Sequence, residues 1–382
     1  MGMKLDRLRV ENYRSLRDID LKLQPLNLLI GTNASGKSNI LDALRFLAQG
    51  AQEKDFARAV GSRGNVVQLA WKGAEAEFVS LRAHFIEGLE RYDWSVRVDR
   101  QGFEYDLSED LRVAKEDAPP AQLLHSQQGT GWWWSGIKKE EVNLLLPQPT
   151  GCALSAASVD ESFPGRRVLE CVNRWGFFDP SPAFLRKATF PDEEEGPRLD
   201  SIGRNLAGRL FAINEASPEV FRRIVSATND VLGVPETIEL RRQDYDGRIY
   251  FVQTEAGLNY PVHQLQASSG TLRMLALMTA LLGEDDMTLV GIEEPENYVH
   301  PNALEAFARY LLLAKDRVQI IITTHSPLLL NFLSAPEAVC IVRRGDRGTE
   351  VEREPDPAAV RKALDASGFG LGEFYESKGF GG

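Results

Sequence analysis

The sequence has few cysteines, no long apolar run and no excess of positive charge. Cys152, Cys171 and Cys340 are far apart and odd in number among 382 residues, so neither a disulfide framework nor a CxxC metal site is indicated. No stretch approaches the roughly 18 consecutive apolar residues of a membrane span, and the first residues, MGMKLDRLRV, lack the apolar core of a signal peptide. We therefore expect a soluble protein in a reducing, cytoplasmic setting, without a membrane partner.

The charge balance limits what can be said about partners. Asp and Glu number 55 against 44 Lys and Arg, which gives a net charge of −11. Such a surface is unfavourable for coating nucleic acid, although a local basic patch is compatible with it. Charge therefore leaves nucleic acid open as a partner without supporting it.

The spacing of apolar residues predicts an α/β fold. Leu26–Ile30 is a short apolar run typical of a buried strand, and helical spacing from Lys37 to about Ala48 follows a glycine-rich loop. Residues 64–107 alternate between apolar and polar side chains, which predicts an antiparallel β layer. Helical periodicity over 202–232 and a hairpin around Asp246-Gly247 follow later in the chain.

The regular pattern stops between about 115 and 167, where proline, glycine and serine interrupt the chain. The run Trp132–Trp134 lies in this segment. A base-stacking platform would also need a basic groove, and only two lysines are nearby. We therefore interpret the segment as an irregular insertion whose tryptophans pack locally.

A phosphate-binding loop follows the first apolar strand. Residues 31–38 read GTNASGKS and match GxxxxGK[ST], with a strand before and a helix after. Glycines let backbone N–H groups close around phosphates, and the helix N-terminus offers its positive end. This context argues against a chance match in a turn. The predicted nucleotide-binding residues of the loop are Gly31, Asn33, Ser35, Gly36, Lys37, Ser38 and Asn39, with Lys37 on the β- and γ-phosphates and Ser38 on Mg²⁺.

Two further apolar strands end in polar residues. Met287–Ile292 leads into Glu293 and Glu294, and Val318–Thr323 leads to His325. Adjacent acids are often solvated and a lone histidine is often structural, but these residues follow strands apolar enough to be buried. Because a Mg²⁺-nucleotide site needs carboxylates at a strand end, we assign Glu293 to the metal and Glu294 to the attacking water. Ligands bind at the carboxyl edge of such sheets, so His325 is a candidate sensor of the γ-phosphate.

Ser268-Ser269-Gly270 opens an apolar helix about 20 residues before the acidic strand. Taken alone, this is an ordinary helix N-cap. The motifs follow one another in the order P-loop, serine-glycine helix start, strand with Glu-Glu-Pro, and strand with Thr-His-Ser. This order resembles that of the ABC ATPase superfamily. The resemblance is specific to the RecF/SMC-like branch of AAA-type ATPases, which includes the ATPase part of the OLD proteins. It covers residues 3–50 and about 260–345.

The resemblance implies a role for each motif. Arg14, within the N-terminal ENYRSL, would approach the nucleotide, and Asn297 would belong to the D-loop. Ser268, Ser269 and Gly270 would form the signature, which contacts a γ-phosphate held by Lys37 of a second copy. The remaining assignments are Glu293 as the Walker B acid, Glu294 as the catalytic glutamate and His325 as the switch histidine. The Q-loop is not located, and the segment Trp175–Pro182 is a candidate for it.

The resemblance also implies the fold class, which is a P-loop NTPase fold of the ABC-type ATPase head with an antiparallel β side lobe and a helical or irregular insertion. The predicted segments are an ATPase lobe with the β layer at 1–114, an irregular insertion at 115–200, a helical and hairpin segment at 201–260, and a second ATPase lobe at 261–382.

The expected activity is ATP hydrolysis with Mg²⁺ at two sites shared by an ATP-bound homodimer. The leading hypothesis is a prokaryotic anti-phage or restriction-associated ATPase that controls a separately encoded, nuclease-like effector. Only 57 residues follow His325, too few for the C-terminal nuclease domain of OLD proteins. A RecF-like ATPase acting on DNA is an alternative. An ABC transporter subunit is a third, which Ser269 in place of glycine and the long middle segment disfavour.

Overall fold

A computed structural model describes residues 2–73, 76–116, 118–190, 198–234, 237–254, 257–284 and 286–378. These residues form two compact units. The first contains the described residues up to Trp175 together with Glu337–Pro357 and Lys378, and the second contains Gly176–Pro336 and Ala358–Ser377. Within these ranges, none of the helices has the length and apolar character needed to cross a membrane.

An antiparallel sheet dominates the first unit. In spatial order its strands are β2 (Leu16–Lys22), β1 (Lys4–Tyr13), β4 (Phe78–Glu87), β5 (Glu90–Gln101), β6 (Glu104–Lys115), β7 (Ala118–Gln127), β8 (Thr130–Ser135) and β9 (Glu140–Leu145). Buried and more exposed side chains alternate along β4 and β5, because one face of the sheet packs on the core. The antiparallel layer predicted from the alternation within residues 64–107 is confirmed from Phe78 onward, whereas Val66–Leu69 forms the short helix α3.

The prediction of irregular structure after residue 115 is wrong for residues 118–145, which form β7, β8 and β9. Pro119 and Pro120 occupy exposed positions near the start of β7, where the register with β6 shifts. Proline is tolerated at such an irregularity because no ladder hydrogen bond is lost there. The run Trp132–Trp134 lies in β8, with its first two side chains half-buried and Trp134 exposed.

A buried carboxylate connects β6 to the short helix α4 (Ala153–Ala157). Glu109 accepts hydrogen bonds from the Trp94 indole N–H (2.9 Å) and from the backbone N–H groups of Ala153 (2.7 Å) and Leu154 (2.9 Å). Burial raises the pKa of Glu109 to about 7, against these hydrogen bonds, which favour the ionised form. The sheet and α4 are thereby held together through one side chain.

The first unit also contains a short parallel pair of strands. β3 (Leu26–Ile30) is buried along its whole length, as its apolar run predicted, and pairs with β16 (Val339–Gly345). β16 pairs in turn with the antiparallel β17 (Gly348–Arg353). The other helices of this unit are α1 (Lys37–Gln52), α2 (Phe56–Gly61), α3 (Val66–Leu69) and α5 (Arg166–Val172). Since β16 pairs with β3, residues 337–357 belong to this unit rather than with the rest of the segment 261–382.

Helices predominate in the second unit. The chain enters it through β10 (Trp175–Phe178), and its helices are α6 (Pro182–Leu185), α7 (Leu206–Ala216), α8 (Pro218–Leu232), α9 (Ser269–Leu282), α10 (Ala303–Ala314), α11 (Pro327–Leu333), α12 (Pro357–Ser367) and α13 (Leu371–Ser377). β14 (Leu289–Glu293) and β15 (Gln319–Thr324) pair in parallel. β11 (Thr237–Arg242), β12 (Ile249–Thr254) and β13 (Val262–His263) form an antiparallel sheet. The predicted helices over 202–232 and the hairpin after them are confirmed.

Candidate functional site

The P-loop joins β3 to α1 in the first unit. Lys37 is buried, and its Nζ donates to the carbonyl oxygens of Gly31 (2.8 Å) and Thr32 (2.9 Å). α1 begins after Gly36, and no side chain caps its first turn, where Ser38 is exposed. An uncapped helix N-terminus presents backbone N–H groups and the positive end of the helix dipole. The first turn of α1 therefore suits a phosphate.

Side chains that are distant from the P-loop in the sequence form hydrogen bonds with it. Thr349 on β17 donates from Oγ1 to the carbonyl oxygen of Ser35 (2.9 Å), and its Oγ1 lies 2.7 Å from Ser15 Oγ. Asn39 Nδ2 donates to the same Ser15 Oγ (2.7 Å). Gly36 has a φ of +110°, and a Cβ there would lie 2.0 Å from Thr349 Oγ1. No local pattern in the sequence points to Thr349, because this packing depends on the pairing of β3, β16 and β17.

Arg14 lies beside α1, against a buried acidic side chain. Its Nη1 is 3.0 Å from Asp42 Oδ2. Asp42 also accepts from Arg63, through Nε (3.0 Å) and Nη2 (2.8 Å), and from the Tyr13 hydroxyl (2.5 Å). Burial disfavours the charged carboxylate, but Arg63 and the hydrogen bonds outweigh it, so the pKa of Asp42 is lower than usual. The approach of Arg14 to a nucleotide stays a prediction.

A cavity of about 720 Å³ lies beside the P-loop in the first unit. Its volume is typical of small-molecule sites. Its lining includes four basic side chains and an indole, from Arg14, Arg63, Lys72, Arg344 and Trp71. Asp346 also lines the cavity, and the remaining excess of basic side chains favours an anionic ligand. Of these residues, the sequence pointed only to Arg14.

The turn after β14, which contains Glu294 and Asn297 and is called the acidic turn below, makes several polar contacts within the second unit. The backbone N–H of Glu294 donates to the carbonyl oxygen of Thr323 on β15 (2.9 Å). Asn297 Nδ2 donates to Glu294 Oε2 (2.8 Å). Glu294 has a φ of +41°, a left-handed conformation that is strained for a residue with a Cβ. The turn thus places Glu294 beside Asn297, next to the end of β15.

His325 follows β15 at the same end of the strand pair. Its Nδ1 lies 3.7 Å from Glu294 Oε1 and 3.5 Å from Glu296 Oε1. Glu296 Oε1 also accepts from Thr324 Oγ1 (2.7 Å) and from the His325 backbone N–H (3.0 Å). The expectation that Glu294 and His325 each follow the end of a buried strand is confirmed, and the structure adds that the two strands pair. Glu296 was not predicted, although it is the next acid in the same turn.

The serine-glycine motif forms the start of α9. Ser268 Oγ accepts from a backbone N–H in the first turn (3.0 Å), so the predicted N-cap is confirmed. Ser269 Oγ accepts from Arg186 Nη2 (3.1 Å). The helix start packs against the turn after Glu294, since a Cβ at Gly270 would lie only 2.8 Å from the carbonyl oxygen of Tyr298. Contact of this motif with a phosphate of a second copy stays a prediction.

The predicted site residues therefore fall into two groups. Arg14 and the P-loop belong to the first unit, and the signature, the acidic turn and His325 belong to the second.

Three comparisons give the chain a family. Residues 26–331 match the family described as "AAA domain, putative AbiEii toxin, Type IV TA system". The OLD nuclease of Thermus scotoductus is 26% identical over 391 aligned positions, which cover 93% of this chain and 66% of that protein, so the chain spans just under two thirds of its length. The DNA replication and repair protein RecF of Actinobacillus pleuropneumoniae is 32% identical over 100 residues, covering 26% of this chain and 24% of that protein.

Among solved structures, an SMC head bound to the C-winged helix domain of ScpA superposes with a TM-score of 0.55. It is 11% identical, and the match covers 91% of this chain and 97% of that chain. At this identity the likeness shows the fold alone, which is the P-loop NTPase fold of ABC-type ATPase heads. The family model matches well over half of the chain, so the chain belongs to this family. It is an ATPase of the RecF/SMC-like, OLD-related ABC type.

Proposed function

We propose that the protein is a Mg²⁺-dependent ATPase that dimerises on ATP and thereby controls a separately encoded effector such as a nuclease. The observation that carries the catalytic part is the group of Glu294, Asn297 and His325 at the ends of β14 and β15. A carboxylate held beside an amide and an imidazole can accept a proton from water and orient that water. We assign this role to Glu294 and assign contact with the γ-phosphate to His325.

The first unit supplies nucleotide binding in this proposal. The uncapped first turn of α1 fits a phosphate, and so does Ser35, whose buried Oγ has no hydrogen-bond partner among the described residues. Lys37 would exchange its two loop carbonyls for phosphate oxygens. Ser38 and Glu293 would hold Mg²⁺, since hydroxyl and carboxylate oxygens together with substrate phosphates are its usual ligands. When bound, Mg²⁺ neutralises charge that develops on the transferred phosphoryl group.

The proposed dimer follows from the start of α9. Ser268 and Gly270 lie at a helix N-terminus, where a phosphate is stabilised by N–H groups and the helix dipole. In the proposed dimer this N-terminus faces a γ-phosphate bound by Lys37 of the second copy. ATP then joins two heads, and hydrolysis separates them.

The proposal of a nuclease-like effector rests on the similarity of the chain to its relatives. The OLD nuclease, to which this chain is similar, is named for a nuclease activity. From this similarity we propose that the ATPase acts in anti-phage defence by controlling nuclease chemistry in a separately encoded effector.

The dimer is tested by measuring solution mass with and without ATP in Glu294→Gln, which would bind ATP and hydrolyse it slowly. We expect a dimer with ATP and a monomer without it. Lys37→Ala is the control and should stay monomeric in both conditions. A Glu294→Gln protein that remains monomeric with ATP at high concentration would contradict the shared sites.

The separate effector is tested by incubating the purified chain with DNA, Mg²⁺ and ATP. We expect no cleavage by the chain alone, and cleavage that Lys37→Ala abolishes would contradict an effector in trans. The same DNA tests the RecF-like alternative. ATP-dependent binding that weakens steeply with salt would favour direct action on DNA.

A further inference from the structure

A buried arginine connects the start of α9 to the acidic turn. Arg273 is 1% exposed and is the one charged residue of this largely apolar helix. Its Nη2 donates to the carbonyl oxygens of Glu293 (2.8 Å) and Glu294 (3.0 Å). Its Nη1 donates to Asp179 Oδ1 (3.1 Å) and to the carbonyl oxygen of Pro180 (2.5 Å), just after β10. One guanidinium thus joins three segments of the second unit.

These contacts account for the conformation of Glu294. Its φ of +41° is unfavourable for a residue with a Cβ, and surrounding structure must hold it there. One nitrogen of the planar guanidinium, Nη2, donates hydrogen bonds to two successive carbonyl oxygens of the turn. The backbone orientation fixed in this way also sets the direction in which the Glu294 side chain leaves the turn, toward Asn297 and His325.

Stability alone is a weak reason for this arrangement. Removing a guanidinium from water is costly, and its carboxylate partner, Asp179, is 55% exposed. The Nε–H of Arg273 has no hydrogen-bond partner within the described part of the chain. An apolar residue of similar size would fill this position in α9 without these costs. The feature that an apolar residue cannot supply is the set of directed donors.

We propose that Arg273 is a positioning residue of the ATPase, which fixes Glu294 and transmits movement of the signature helix to it. The proposal rests on the proposed roles of Glu294 and the signature. Arg273 lies three residues after Gly270 on the same helix, so a shift of the helix start on engaging a phosphate moves both carbonyl anchors of the turn. Asp179 and Pro180 belong to the candidate Q-loop segment, which the same guanidinium therefore ties to the turn.

The test is Arg273→Lys, with Arg317→Lys as the matched control. Arg317 donates to the carbonyl oxygens of Leu281 and Glu284 at the opposite end of α9. Lysine keeps the charge but cannot supply the planar fork of donors. We expect kcat for ATP hydrolysis to fall roughly 10²-fold in Arg273→Lys, because a small displacement of a catalytic group has an effect of this size. Nucleotide affinity should be unchanged, and Arg317→Lys should keep the wild-type kcat.

A double variant separates positioning from a general loss of structure. If Arg273 acts through Glu294, adding Arg273→Lys to Glu294→Gln lowers kcat no further, whereas a structural defect multiplies with it. Wild-type kcat in Arg273→Lys, or multiplicative losses in the double variant, would overturn the proposal. Should Arg273→Lys not fold, Asp179→Ala removes one anchor at an exposed position and is expected to lower kcat severalfold, and an unchanged kcat there overturns the proposal.

These outcomes are distinguishable from failure of the proposed function. An ATP-dependent dimer of Glu294→Gln together with wild-type kcat in Arg273→Lys would remove the role of Arg273 alone. Absence of ATP hydrolysis by the wild-type protein would remove both.

Discussion

The P-loop and the acidic turn both follow short buried strands, but they are held in different ways. Hydroxyl groups from distant segments fix the P-loop, and the packing against Thr349 leaves no room for a Cβ at Gly36. The acidic turn has a strained Glu294, and His325, which is 47% exposed, lies 3.5 to 3.7 Å from its acidic neighbours. We infer that the nucleotide-binding part is preformed and that the hydrolytic part is adjustable at His325, which is exposed and makes only long contacts with its acidic neighbours. Substitutions in the first should change affinity or stability, and those in the second should change turnover.

The largest effect is expected at Glu294. Glu294→Gln removes the proposed base and should lower kcat by roughly 10²- to 10⁴-fold, the usual range for a group that accepts a proton in the reaction. Nucleotide affinity should stay near that of the wild type, because glutamine has the size of glutamate and the proposed partner of Glu294 is the attacking water rather than the nucleotide. Steady-state hydrolysis and titration with a fluorescent nucleotide measure the two quantities. The control is Glu305→Gln, at an exposed acid of α10. Parallel losses of affinity and kcat in Glu294→Gln would remove the distinction between the two regions.

The second-largest expected effect is a loss of stability at α1, the helix that follows the P-loop. Asp42→Asn removes the buried charge that pairs with Arg63, and removal of one partner of a buried pair should lower the free energy of unfolding by about 3 kcal/mol. Urea unfolding at neutral pH checks this. Asp20→Asn is the control, because its pairs with Arg7 and Arg9 are exposed and contribute little. Equal stability of the two variants would mean that the P-loop unit is not held through α1 and Asp42.

The pKa of Asp42 adds a pH dependence to this prediction. Because the folded-state pKa is lower than the ordinary value, the ionised carboxylate stabilises the fold at every pH above about 4. This contribution is lost as the pH falls through the lowered folded-state pKa. The stability difference between wild type and Asp42→Asn should therefore be constant from neutral pH to about 5 and shrink in more acidic solution. A difference that grows on acidification would contradict the assigned direction.

Local patterns in the sequence were sufficient to predict the strand ends. They were not sufficient to predict packing between residues that are far apart in the chain. The apolar run Leu26–Ile30 and the glycine spacing after it are properties of a few neighbouring residues, so β3 and the start of α1 could be predicted. The contact of Ser15 with Thr349 joins residues at opposite ends of the chain, and no local pattern reports it. Arg273 did leave a signal, since a single charged residue in a buried apolar helix is unusual.

The P-loop can be tested by a change that adds a single methyl group. Gly36→Ala places a Cβ against Thr349 Oγ1 at a φ of +110°, and strain of this kind costs about 1 to 3 kcal/mol. We expect nucleotide affinity to fall about tenfold or more, with kcat at saturation less affected. Thr349→Ala in the same chain should restore part of the affinity, because it removes the closest contact but not the strained φ. If the double variant binds no better than Gly36→Ala, the packing of β17 does not set the shape of the loop.

The smallest expected effect is at Glu296, which separates orientation from charge in the adjustable region. Glu296→Gln keeps an oxygen to accept from Thr324 Oγ1 and the His325 N–H, but it removes the charge 3.5 Å from His325 Nδ1. An altered polar contact of this kind is worth about 1 kcal/mol, so kcat should fall only about threefold to fivefold. Glu296→Ala also leaves the His325 N–H without its acceptor and should have the larger effect. Steady-state hydrolysis by both variants, at a nucleotide concentration that saturates the wild type, gives the comparison. If Glu296→Gln is as slow as Glu294→Gln, the charge of Glu296 takes part in hydrolysis itself, and the acidic turn works as a pair of carboxylates rather than as one base with a supporting neighbour.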